Sequence, residues 1–156
     1  AQQYRKSSTT LSSVTCLAGP APWSRLLPSA IAPTVAIVDY GMGNLFSVRQ
    51  ACEHAGLHPI ITSSPREVTG AGAVILPGVG AFGDAIASLE RLDLVSPLRD
   101  ISESNKPFLG ICLGMQLLMT ESQEFGQHRG LGIIEGEVTQ LQRNPVGIPK
   151  PIRVSL

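Results

Sequence analysis

The sequence predicts an α/β domain built on a doubly wound, mostly parallel sheet, and three observations carry that prediction. Short apolar runs rich in β-branched residues recur at 35–38, 58–62, 73–76 and 108–111. Segments with helical periodicity lie between them, so strand and helix alternate four times. Three of the runs close on Gly-rich turns, at 41–43, 78–83 and 110–114. Alternation of this kind gives parallel strands with helices on both faces, and ligands then bind at the carboxyl ends of the strands.

Composition narrows the class. The 156 residues suffice for one domain with a real core, and 43% hydrophobic against 15% charged residues argues for a globular chain. A formal net charge of zero gives no support for nucleic acid or an anionic membrane as partner. No apolar run approaches the roughly 20 residues of a membrane-spanning helix. The three cysteines, Cys16, Cys52 and Cys112, are odd in number and far apart, with no C-x-x-C pair. That spacing argues against a disulfide framework or a zinc site and for a reducing compartment, with the cytoplasm the expected location.

The charge is unevenly placed. Residues 1–38 hold Arg5, Lys6 and Arg25 and no acid, leaving nine basic against twelve acidic residues in the remainder. Residues 1–33 are rich in Ser, Thr, Ala and Pro and show no sustained period, so they are expected to form a tail outside the domain. A basic, acid-free, Ser-containing stretch fits an organellar targeting segment. Pro20, Pro22, Pro28 and Pro33 break any long helix there and favour a disordered extension instead.

From residue 34 the pattern is regular. The run at 35–38 ends at Asp39, as a buried parallel strand should. Asn44 is placed to cap a helix running to about Ala55, with Gly56 as its stop. Leu45, Val48, Ala51, Cys52 and Ala55 fall on one stripe of that helix, which makes Cys52 a core residue. Ser64 and Pro65 open a short helix after the second strand, and helical patterns cover 82–90 and 95–103. After the fourth strand a helix is expected over 113–121, then a strand or hairpin arm over 133–141.

The chemistry concentrates at Gly110-Ile111-Cys112-Leu113-Gly114, a strand-to-helix turn of the form G-x-C-x-G. A nucleophile on such an elbow has a strained backbone, and the flanking glycines let neighbouring segments come close. The helix start behind it carries partial positive charge, which favours thiolate over thiol. Acyl transfer also needs N–H donors for the developing oxyanion. Leu113, directly after the nucleophile, can supply the first, and the Val79–Gly80 peptide region the second. Gly78, Gly80 and Gly83 also satisfy the dinucleotide fingerprint G-x-G-x-x-G. That reading is weak: the fingerprint belongs to the first strand–helix turn, where Phe46 replaces the third glycine.

Four segments in order then carry a resemblance: 39–44, 77–82, 110–118 and 130–136, among them Asp39-Tyr40-Gly41-Met42-Gly43-Asn44 and Pro77-Gly78-Val79-Gly80. The chain from about Val35 onward resembles the class I glutamine amidotransferases, and within them the glutaminase subunits of imidazole glycerol phosphate synthase. The resemblance implies a flavodoxin-like sheet and a Cys112 thiolate that attacks the amide of L-glutamine, releasing ammonia. It implies an oxyanion held by the Val79 and Leu113 N–H groups and a glutamine pocket bordered by Gly78, Gly80 and Gln116. It implies a partner face at Met42, Gly43 and Asn44, docking on a (β/α)8 cyclase subunit in a heterodimer that makes imidazole glycerol phosphate and AICAR for histidine biosynthesis. No metal and no organic cofactor are expected. A glutaminase serving another synthase, such as one amidating a surface sugar, would carry the same motifs.

One departure from the family pattern is large. The thiol needs a base, supplied in the family by a His-x-Glu pair well downstream. Only 44 residues follow Cys112, and His128 is their one histidine, with no acid at the required offset. His54 and His58 fit exposed or structural roles. The expectation is a domain over 34–156 that is incomplete at its C-terminus and has negligible activity of its own, or a docking module that no longer hydrolyses anything.

Overall fold

A computed structural model describes residues 33–139. The tail expected over residues 1–33 therefore falls almost wholly outside the described residues, as does the end of the arm expected over 133–141. Four strands form the main sheet: β1 (Thr34–Val38), β2 (His58–Thr62), β3 (Ala73–Leu76) and β4 (Phe108–Gly110). All pair in parallel, in the order β2-β1-β3-β4. Ile61, Ile37, Ile75 and Leu109 form one cross-strand row, and that register fixes which face each side chain meets.

Alternation along β1 divides the core in two. Val35 and Ile37 face helix α1 (Leu45–His54), where they pack with Cys52, Ile75 and the partly buried Leu45 and Val48. Ala36 and Val38 face the other way, toward α2 (Pro65–Gly70), α3 (Phe82–Arg91) and α4 (Val95–Glu103). The second core is the larger, with Phe82, Leu89, Leu94 and Leu98 fully buried in it. Each such side chain contributes about 1.5–3 kcal/mol by leaving water. Helices on both faces and a strand order that reverses between β1 and β3 make the sheet doubly wound, as the sequence predicts.

The local signals act where expected. The Asn44 side chain accepts the Ser47 N–H at 3.1 Å and caps α1, which stops just before Gly56. Ser64 caps α2 with Pro65 as its first residue, a position where the missing N–H costs nothing. Along the expected apolar stripe of α1, Cys52 is buried and Leu45 and Val48 half-buried, but Ala51 and Ala55 are exposed. That helix lies on the sheet along a narrow line.

The segment behind the elbow departs from expectation. The helix expected over 113–121 is a five-residue helix, α5 (Leu113–Leu117), and the chain then becomes strand β5 (Met119–Ser122). β5 pairs antiparallel with β6 (His128–Arg129) and parallel with β7 (Ile134–Val138), forming a second small sheet. Long-range hydrogen bonds are the reason. The carbonyls of Leu117, Leu118 and Met119 accept N–H groups of Leu131, Ile133, Ile134 and Gly132 at 2.8–3.0 Å. Those carbonyls accept from residues 131–134, where a continued helix would bring them the N–H groups of 121–123. Arg99 on α4 braces the same loop, donating to the Leu131 carbonyl at 2.8 Å.

Candidate functional site

The site lies where the strand order reverses. Loops leaving β1, β3 and β4 meet at the carboxyl edge of the sheet, the position where such folds bind ligands. Glycine packing shows how tightly they meet. A Cβ on Gly114 would overlap the Leu76 carbonyl, and a Cβ on Gly78 would overlap the Tyr40 hydroxyl and stand 2.9 Å from the Gly114 nitrogen. The loops after β3 and β4 thus touch backbone to backbone, a packing that only a residue without a side chain permits.

Cys112 occupies the elbow. Its backbone has φ +54° and ψ −118°, a combination costly for a residue with a side chain, and the thiol is exposed and free. The surroundings hold it there. The Ile111 N–H donates to the Leu76 carbonyl at 3.0 Å, tying the approach to β3, and the N–H groups of Met115 and Gln116 donate to the Cys112 carbonyl. Leu113 is buried, and its N–H finds no protein acceptor among the described residues. Gln116 is half-buried one turn further along.

The neighbouring loop presents Val79, 54% exposed, between Gly78 and a Gly80 at φ +106°. The Val79 N–H is likewise without a protein acceptor among the described residues. Contact between Gly78 and the Leu113 side chain sets the two free donors in adjoining loops. The loop after β1 closes the group from the other side. Met42 is half-buried, with its methyl against Gly80, and Gly43 packs on the Pro77 ring. Asn44 is exposed and engaged as the cap of α1.

Two residues that sequence patterns did not single out are built into this edge. Tyr40 is 2% exposed, and its hydroxyl donates to the Pro77 carbonyl at 2.8 Å. Burial pushes its phenol up to about 12, with nearby Cys112 adding to the rise. Glu124, from the turn between β5 and β6, accepts the Phe82 N–H at 2.9 Å and so supplies the cap that Ala81 cannot. Its sequence signal was absent because cap and helix lie 42 residues apart.

The histidines stand away from this chemistry. His54 ends α1 and His58 begins β2, both exposed. His128 packs its ring against Gly83 and lies 6.5 Å from the Phe82 ring, centre to centre. Gly83, the last glycine of the dinucleotide-like pattern, therefore makes room for an imidazole. A cleft of about 740 Å3 opens beside it, lined by Asp84, Glu124, Phe125 and His128, and Cys112 is not among its lining residues. No side-chain hydrogen bond reaches the Cys112 sulfur among the described residues, and none of their His, Cys, Asp and Glu side chains group so as to hold a metal.

The geometry thus sets an elbow cysteine beside a glycine loop with free N–H donors, at the switch point of a doubly wound sheet. The family described as "Glutamine amidotransferase class-I" matches residues 36–152, and the chain belongs to it. Among curated proteins it is similar to "Imidazole glycerol phosphate synthase subunit HisH" of Moorella thermoacetica, 50% identical over 75% of this chain and 54% of that one. The subunit of the same name from Aquifex aeolicus is 53% identical over 74% of this chain and 55% of its own. That from Trichormus variabilis is 55% identical over 76% and 56% respectively. The chain spans about half the length of the curated relatives it matches. Among solved structures a glutamine amidotransferase shares the fold, with a TM-score of 0.58 at 20% identity over 67% of this chain and 55% of that chain.

Proposed function

We propose that this chain carries the nucleophile, Cys112, of a glutaminase subunit that hydrolyses L-glutamine to glutamate and ammonia. The observation that carries the reading is the exposed Cys112 thiol held at φ +54° beside the Gly78–Gly80 loop. In the proposed reaction the thiolate attacks the side-chain amide carbon and forms a tetrahedral oxyanion. The N–H groups of Val79 and Leu113 receive that charge, and collapse breaks the C–N bond and releases ammonia. Water then cleaves the glutamyl thioester. Gly78, Gly80 and Gln116 border the glutamine pocket in this reading. Removing one donor from such a hole typically costs about 2.7–4 kcal/mol of transition-state stabilisation.

The relatives' shared name supports a role as one subunit of imidazole glycerol phosphate synthase. In that role ammonia passes to a (β/α)8 cyclase subunit in a cytoplasmic heterodimer, with Met42, Gly43 and Asn44 at the docking face, for histidine biosynthesis. Residues from 34 onward are assigned to the amidotransferase domain, and no metal or organic cofactor enters. Among the described residues no helix is long and apolar enough to cross a membrane. The sequence has three histidines and none hydrogen-bonds to Cys112, so the 156-residue chain alone is expected to turn over glutamine negligibly.

The test is ammonia release from glutamine by this chain and by the same chain extended to the length of its relatives, each with and without Cys112→Ala. Turnover by the extended chain that disappears in Cys112→Ala is the expected result. Turnover that survives the substitution would remove Cys112 from the mechanism.

A further inference from the structure

The stretch behind the elbow is a strand against its own local sequence. Residues 115–125 are mostly good helix formers, Met, Gln, Leu and Glu, and Gly126 is placed to end a helix. Thr120 is the one β-branched residue among them, and glutamate, present at 121 and 124, is disfavoured in strands. The chain nevertheless leaves α5 at Leu117 and forms β5 over Met119–Ser122. Local preference points to helix, so whatever imposes the strand comes from outside the segment.

The source is a crossing. β6 and β7 lie on opposite sides of β5, so residues 130–133, which join them, pass over the junction of α5 and β5. There the N–H groups of Leu131, Gly132, Ile133 and Ile134 reach the carbonyls of Leu117, Leu118 and Met119 at 2.8–3.0 Å. A continued helix would offer those carbonyls the N–H groups of 121–123 instead, so strand and helix compete for one set of acceptors. The crossing fits because Gly130 has no side chain: a Cβ there would overlap the Met119 carbonyl. A single cation closes its outer side. Arg99 donates to the Leu131 carbonyl at 2.8 Å and to the Gly130 carbonyl at 3.4 Å. Glu103 lies one turn along the same helix, yet among the described residues the guanidinium forms no ion pair and spans to the crossing. Hydrogen bonds from a charged donor are the stronger kind. The crossing therefore holds β5 through its N–H groups and is itself held by α4 through its carbonyls.

We propose that residues 119–124 are a two-state helix–strand element: the crossing at 130–134 keeps them as strand, and Arg99 is the latch that keeps the crossing in place. With the latch open, α5 lengthens toward Gly126, a discrete change between two packings of one sequence. Because α5 starts directly after Cys112, the switch lies immediately behind the candidate nucleophile. It is a property of the fold and stands apart from the glutaminase reading.

The experiment is NMR of the 156-residue chain, wild type against Arg99→Met and Gly130→Ala, reading 13Cα secondary shifts and amide exchange. Arg99→Met keeps the aliphatic stem and removes the donors. Gly130→Ala sets a methyl against the Met119 carbonyl and displaces the crossing. In Gly130→Ala the shifts over 119–124 should turn from strand-like to helical while those of β1, β2 and β3 stay as they are. In Arg99→Met the amides of 131–134 should exchange about 10- to 100-fold faster than in the wild type, as a locally opening unit does. Its shifts over 119–124 should move part of the way toward helix. General loosening would instead give coil-like shifts at 119–124, and that result overturns the switch. Strand-like shifts that persist in both variants overturn it as well. Unchanged exchange at 131–134 in Arg99→Met overturns the role of Arg99 as latch. If Gly130→Ala does not fold, Arg99→Met alone decides: helical gain at 119–124 supports the proposal, and no gain overturns it.

Discussion

Cys112 and Cys52 are the same side chain in opposite surroundings. Cys52 sits within regular helix α1, 5% exposed, packed under Val35, Ile37 and Ile75. Burial pushes its thiol up, and Glu53 next to it adds to the rise, so it stays protonated and inert. Cys112 is exposed on a strained backbone, between glycines that have no room for a side chain. Nothing in the residue type separates the two. The contrast is made by backbone geometry and packing.

The strongest way to break this contrast is to exchange the consequences of losing each thiol. Cys112→Ala should lower glutamine hydrolysis by about 10^4-fold or more, as loss of a covalent nucleophile does elsewhere. Cys52→Ala should leave hydrolysis unchanged and cost roughly 1 kcal/mol of stability from a small cavity, measured by urea titration. Gly114→Ala tests the turn itself. Its new methyl would overlap the Leu76 carbonyl, so the account predicts about 3 kcal/mol or more of destabilisation. A Gly114→Ala chain with an unchanged thermal transition would show that the elbow has slack.

A smaller effect lies in pH. Tyr40 has its phenol raised from 10.0 to about 12 in the folded chain. The folded state thus holds that proton longer than the unfolded state, so the associated stability is intact below pH 10.0 and drains away as pH rises toward about 12. The Cys52 thiol, also raised, begins a loss of the same sign above its ordinary value of 9.0. Urea titrations at increasing pH should show stability falling across this range, and Tyr40→Phe should flatten the part above pH 10.0.

How much of this was legible in the sequence depended on range. The Asn44 cap and the elbow were legible because residues within about one turn fix them, and the four strands because each is a short apolar run and their alternation with helices implies parallel pairing. The hairpin behind the elbow was not. Leu113 to Glu121 carries a helical pattern, and only the distant N–H groups of residues 131–134 convert its second half to strand. Glu124 and Tyr40 were hidden for the same reason, their partners Phe82 and Pro77 lying 42 and 37 residues away. Leu109, 54% exposed, and Ile111, 37% exposed, formed an apolar run indistinguishable from a fully covered strand.

The most direct test of the central claim is to quench the full-length enzyme in acid during glutamine turnover and map its thioesters by mass spectrometry. A glutamyl adduct is expected on the peptide containing Cys112 and none on that containing Cys52. Turnover with no adduct on Cys112, or an adduct carried elsewhere, would contradict it.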